Sequence, residues 1–224
     1  MRTWMIASLT GLLSIAQPGG QPPAQEGGKP AQKATDPEQM QKYMQAGAPG
    51  EMHRLLNQSI GSWEAKTTAW MTPGAPPQES TGFAVVTGVM SGRFTRTAYT
   101  GSLGAMPFMG EGLYGYNNAT RSFESTWIDS MTTGMLVMKG AYDAAKKELT
   151  WTGSYTDPID AKVHKVRSVE RTIDADTRIS EMYGEGPDGK EFKTLEIRYS
   201  RAELPRHDDA AKSAAPAVKA ENRK

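Results

Sequence analysis

In an extended chain, residues two apart share a face, and Trp127 and Asp129 stand at that spacing. A carboxylate held beside an indole and away from water keeps its proton to higher pH, which suits acid–base chemistry. The plainer expectation is an ion pair between Asp129 and an arginine of the segment from Arg167 to Arg171, because a buried charge is costly unless paired. Trp63, Trp127 and Trp151, with Tyr155, form a second constellation that either lines a pocket for an apolar or ring-shaped ligand or fills a solid core. Arg201, the other ionisable group on a mainly apolar face, needs a partner or an outlet to water. The candidate ligand-binding set is therefore Trp63, Trp127, Asp129, Trp151, Tyr155 and Arg201. His53 and His164 are conceivable metal ligands, but a histidine with no nearby partner more often packs or faces solvent, and no metal is expected. Ser, His and Asp are all present without a nucleophile-elbow motif. No catalytic residue is assigned and no cofactor is implied.

These residues must be positioned by strands. From Ser62 to Arg201, β-branched and aromatic residues alternate with polar ones between short turn signals. About ten strands are expected, starting near Ser62, Glu79, Arg93, Phe108, Arg121, Gly134, Glu148, Ala161, Thr177 and Lys190. The clearest turns are Thr72-Pro73-Gly74, Gly101-Ser102-Leu103-Gly104, Asn117-Asn118, Asp143-Ala144-Ala145-Lys146 and Pro187-Asp188-Gly189. No segment among them is long and helical enough for a parallel crossover, so the sheet should be antiparallel and up-and-down. A sheet of this size curls, and closing it removes the exposed edges. The fold class is all-β, an antiparallel barrel of about ten strands.

Alternation assigns the inward faces. Trp63, Ala65, Thr67 and Ala69 share one face, as do Phe123, Ser125, Trp127 and Asp129. Leu149, Trp151, Gly153 and Tyr155 form another, and Leu195, Ile197, Tyr199 and Arg201 a fourth. Glycines such as Gly82, Gly110, Gly140 and Gly153 lack phosphate-loop spacing and read as bulges and bends. Two short helices should precede the barrel. Asp36, Pro37 and Gln39 provide a cap, a first-turn proline and a third-position Gln, with Gly47 as the stop. Met40, Tyr43 and Met44 share a face expected to seat on the core, and a second helix should run from Glu51 to Asn57 on a Met52, Leu55 and Leu56 stripe.

The chain has 224 residues, room for one domain with tails. Its 26 basic and 25 acidic residues give a net charge of +1, so no strong field draws it to nucleic acid or anionic lipid. Without cysteine, disulfides, thiolate sites and a cysteine nucleophile are excluded. Residues 1–16 follow the pattern of a secretory signal, with Arg2, an apolar stretch from Trp4 to Ile15 and small residues before cleavage near Ala16. About 12 apolar residues are too few for a membrane span of about 20. Export to a periplasm or the medium is the expectation, with a linker at 17–35, a barrel domain with its helices at 36–204 and a tail at 205–224.

Leu55, Ile60, Gly61, Ser62 and Trp63 resemble the G-x-W signature, entered through a short helix, that opens the calycin superfamily of lipocalins and fatty-acid-binding proteins. Further matches are His53, Gly115-Tyr116-Asn117, Trp127-Ile128-Asp129-Ser130, Gly140-Ala141-Tyr142-Asp143 and Glu196-Ile197-Arg198-Tyr199-Ser200-Arg201. Together they resemble the calycin-like family catalogued as domain of unknown function 1579, over roughly His53 to Arg201. The resemblance implies the barrel, and it implies that Arg201 packs across Trp63 as a late-strand cation does in such barrels. Some ten-stranded calycin-like barrels bind haem through one histidine, and His164 is the position that would be asked to do so here. The resemblance implies no established activity.

Three functions remain open from sequence. One is a carrier for a small apolar or amphipathic molecule inside the barrel. The second is an enzyme using Asp129 and a neighbouring arginine. The third is an interaction module with a solid core. No nucleic-acid partner and no membrane span are expected.

Overall fold

A computed structural model describes residues 36–104 and 106–202. The expected signal segment, linker and tail lie outside the described residues. Two helices, α1 (Pro37–Ala46) and α2 (Glu51–Asn57), lead into ten strands. These are β1 (Gly61–Ala69), β2 (Gln78–Val89), β3 (Phe94–Leu103), β4 (Met106–Asn117), β5 (Ser122–Asp129), β6 (Leu136–Asp143), β7 (Glu148–Thr156), β8 (Val163–Thr172), β9 (Thr177–Glu185) and β10 (Glu191–Ala202). Every strand pairs antiparallel with its sequence neighbours, and β1 pairs with β10 to close the barrel. Each strand begins within two residues of its expected start. Period-two patterning marks strand positions well wherever one face is buried.

One turn differs: Gly101 to Leu103 belong to β3, and only Gly104 of the expected turn lies beyond the strand. The glycines are also not bulges. Among the described residues, the one register irregularity lies between Lys193 and Leu195, whereas Gly110 keeps its place in the β4 ladder with its Cα facing the Trp127 ring. A side chain there would strike the indole, so the small residue serves the aromatic packing.

α2 caps the barrel end at which β1 starts. His53 and Leu56 are buried, the imidazole Nδ1 accepts from the Gly50 N–H at 3.0 Å, and its ring meets Tyr116 edge-on at 5.8 Å. His53 is thus a packing and hydrogen-bonding residue at the barrel base. α1 departs from expectation. The Asp36 carboxylate caps it by accepting from the Glu38 N–H at 3.1 Å, but none of its residues is buried, and Met40, Tyr43 and Met44 face solvent. α2, through Leu56, fills the barrel end in its place. The segment after α1 is held by polar contacts, Asn118 Nδ2 to the Ala46 and Ala48 carbonyls and Arg93 Nε to the Gly47 carbonyl.

The interior has two clusters, one around Phe123, Leu149 and Trp151 and one around Trp63, Ala84 and Tyr99. Outside, β7 to β10 carry a network in which Arg171 pairs with Glu148 and Glu181 at 2.8 and 2.6 Å, and Lys193 with Glu181 and Glu196 at 2.9 and 2.7 Å. The two cations hold the Glu181 carboxyl down at about 2 against an ordinary 4.5, the Lys193 hydrogen bond contributing most.

Candidate ligand cavity

A cavity of about 380 Å³ runs between the two clusters, from α2 to the opposite barrel end. Among the described residues, no helix covers that opposite end. The strand directions place Leu103, Phe108, Trp127, Leu136 and Leu195 of the lining near the uncovered end. Ser59, Thr95, Tyr114, Ser168, Glu170, Arg178, Ser180 and Tyr199 line it nearer α2. Ser102 and Asp129 also line the uncovered end and Leu56, Trp63 and Val86 the α2 end, so both ends are mixed, with the ion pair of the lining lying toward α2.

The floor is organised by Glu170 of β8 and Arg178 of β9, paired at 3.3 Å. Glu170 keeps 24% side-chain exposure, but that surface faces the cavity it lines rather than bulk water. Enclosure accordingly pushes its carboxyl up, and Arg178 only partly offsets the desolvation. Burial likewise raises the Tyr114 and Tyr199 hydroxyls, which stay neutral donors and acceptors at physiological pH. The Trp151 indole N–H favours the ionised form of Glu170, yet no acceptor meets it in bonding geometry. A buried donor without a partner carries its full desolvation cost. A second crevice of about 380 Å³, beneath Leu55 of α2 and its capping residue Gln58, shares Glu170 and Arg178 with the cavity.

Of the residues singled out from sequence, Trp63, Trp127, Asp129 and Trp151 all line this cavity. Tyr155 does not. It stands past the cavity on β7, stacked on His164 at 5.9 Å and 39% exposed. His164 Nε2 lies 3.1 Å from the Asp160 carboxylate. Arg201 is outside the cavity too, at the α2 end, 4.3 Å over the Trp63 ring. It donates to the carbonyls of Ile60 at 3.1 Å and Ala175 at 2.8 Å and pairs with Asp176 at 3.1 Å. The Trp63 indole donates to the Ser59 carbonyl at 2.9 Å. Gly61, at φ 140°, leaves room for the guanidinium where a Cβ would collide with it.

Asp129 does not meet an arginine. Its Oδ2 accepts from the Trp127 indole at 3.1 Å and its Oδ1 from the Met131 N–H at 2.9 Å. Arg167 and Arg171 point outward to Glu191, Glu148 and Glu181. They lie four residues apart on the outer face of β8, opposite in parity to Ser168 and Glu170. Extending the inward face of His164, Val166 and Ser168 by two residues reaches Glu170, a signal present in the sequence. Arg178 is harder to find, because only the strand pairing sets it beside Glu170. No three His, Cys, Asp or Glu side chains among the described residues are grouped to hold a metal ion.

A family model described as a protein of unknown function, DUF1579, matches residues 48–201. The chain belongs to that family. No curated protein matches the sequence. Among solved structures, it is similar to Rv2717c from M. tuberculosis, at 15% identity and a TM-score of 0.54, covering 70% of this chain and 100% of that one. At that identity the likeness concerns the fold alone. A protein of unknown function from the DUF3598 family of Nostoc punctiforme aligns at 9% identity and a TM-score of 0.24, over 69% of this chain and 100% of that one. That alignment carries no structural argument.

Proposed function

We propose that this DUF1579 member is an exported carrier that binds a small amphipathic molecule inside the barrel. The observation that carries the reading is the enclosed Glu170–Arg178 pair and the Trp151 N–H set toward α2 in a cavity whose mouth is lined by Phe108, Trp127 and Leu136 beside Asp129. Such a site takes the apolar body of a ligand toward the mouth and its polar end on the floor, where an acceptor satisfies the Trp151 donor. Export is supported by the N-terminal pattern of Arg2, the apolar stretch to Ile15 and the small residues at 14–16. The bonds of Asp129 to Trp127 and Met131 weigh against the reading in which it works with an arginine as a catalyst.

Titration with anilinonaphthalene sulfonate, an apolar body with an anionic end, tests the cavity through tryptophan emission. A saturable change is expected, weaker in Trp127→Ala and with an altered pH profile in Glu170→Gln. Absence of saturable binding, together with a loss of about 3–5 kcal/mol in Trp127→Ala, the cost of emptying a packed aromatic site, would replace the carrier with a solid-core module. For export, N-terminal sequencing of secreted material should find Gln17 first, and an intact Met1 would overturn it.

A further inference from the structure

The turns at the two barrel ends differ in charge. At the α2 end, every hairpin turn holds an ionisable residue: Arg93, Arg121, Lys146 with Lys147, and Asp174 with Asp176. At the uncovered end, three turns hold none. These are residues 70–77 between β1 and β2, 104–105 between β3 and β4, and 130–135 between β5 and β6. Because β1 to β6 are consecutive around the barrel, the three are neighbours on one half of the rim. Met71, Met131 and Met135 on that half are 66%, 42% and 61% exposed. Just below them Met109, Ile128 and Val137 are exposed on the outer wall. The other half of the rim carries Asp157, Asp160, Lys162, Asp188 and Lys190.

We propose that the uncharged half-rim beds in the interfacial layer of a lipid bilayer with zwitterionic headgroups, bringing the cavity mouth against the membrane. Charge match selects this occupant. Three adjacent turns without an ion pair poorly with a charged protein or anionic lipid surface, and among the described residues this half-rim has no basic cluster to hold anionic headgroups. The closed barrel offers no strand edge for pairing with another chain. Unbranched methionines adapt to a fluid apolar surface. The inference goes beyond the carrier reading, since an amphiphile held in the bilayer would then face the mouth directly.

Hydrogen exchange of the full chain with and without phosphatidylcholine vesicles tests it. Amides of 70–77 and 130–135 should gain protection while 157–162 are unchanged, and high salt should leave the effect in place. The combined Met71→Asp, Met131→Asp and Met135→Asp variant should bind vesicles at least roughly tenfold more weakly, as charges placed on an apolar interfacial face do. Ile159→Asp, on the charged half, should bind as wild type. No protection of the two loops, equal vesicle binding by the triple variant, or protection of the loops through self-association without vesicles would each overturn the proposal. If the triple variant fails to fold, exchange on the wild-type protein still decides. Anilinonaphthalene sulfonate titration without vesicles reads the cavity separately, so its failure would sink the carrier while leaving the vesicle result intact.

Discussion

The two ends of this barrel are built on different physics although the strands between them are continuous. At the α2 end, Trp63, Phe123 and Trp151 are 1%, 1% and 2% exposed, Leu56 plugs the opening, and Arg201 ties Trp63 to Ile60 and Ala175. At the uncovered end, Trp127 is half-buried against the edge of the Trp63 and Tyr99 cluster, Met131 and Met135 of the following turn are exposed, and Asp129 serves only its own strand and that turn. The first end concentrates packing and satisfied polar groups, the currency of stability. The second leaves apolar surface unburied around an opening, a feature that in a folded protein marks a binding surface.

The contrast is broken most severely by Trp151→Ala, which should cost about 3–5 kcal/mol as an emptied aromatic site in the packed half. Trp127→Ala, the matching change near the mouth, should cost clearly less while reducing probe affinity. Denaturant melts of both variants check this, and equal losses would erase the distinction between the ends.

Next in size is the carboxylate pair inside and outside the wall. Glu181 is held at about 2, well below 4.5, so its contribution is fully present above about 4.5 and fades as pH falls through about 2. Glu181→Gln should cost on the order of 1–3 kcal/mol at neutral pH, and its stability should converge on wild type in strong acid. Glu170 has the opposite sign, because its carboxyl is raised by burial. Its ionisation costs stability as pH rises from the ordinary carboxylate range through the folded value, so Glu170→Gln should flatten that decline. Urea melts across pH separate the two, and a parallel response would show that the floor is not enclosed.

Arg201→Ala should lower stability by about 0.5–2 kcal/mol, the range for a cation over an indole face, and leave probe binding near Trp127 unchanged. Loss of binding would mean that the α2 end shapes the whole cavity. Smallest of all, Met131→Asp should shift stability by no more than about 0.5 kcal/mol, as exposed changes do. A thermal melt displaced far beyond that would show the half-rim to be structural.

Strand positions and inward faces were legible because burial imposes a period of two that local residue types record. Trp63 and Arg201 illustrate this: alternation alone puts each on its inward face, and strand pairing sets them opposite each other. Asp129 shows the limit. Its face was correct, but its partner was not, because a carboxylate can be satisfied by a nearby indole and turn N–H without any distant charge. Tyr155 likewise lies on the expected face yet above the cavity, since alternation fixes the side of the sheet and says nothing of height along the barrel axis.

The sequence by itself determined the all-β class, the ten strands and the α2 helix, all properties set by near neighbours in the chain. Only the tertiary structure decided that Glu170 and Arg178 meet on the cavity floor, that Trp151 Nε1 is left without an acceptor, and that α1 stays exposed. It also gathered three uncharged turns, far apart in sequence, onto one half of the rim. The physical reason is common to these outcomes: each depends on which surfaces closure brings together and which it leaves over, a sum over strand pairings that no single segment encodes.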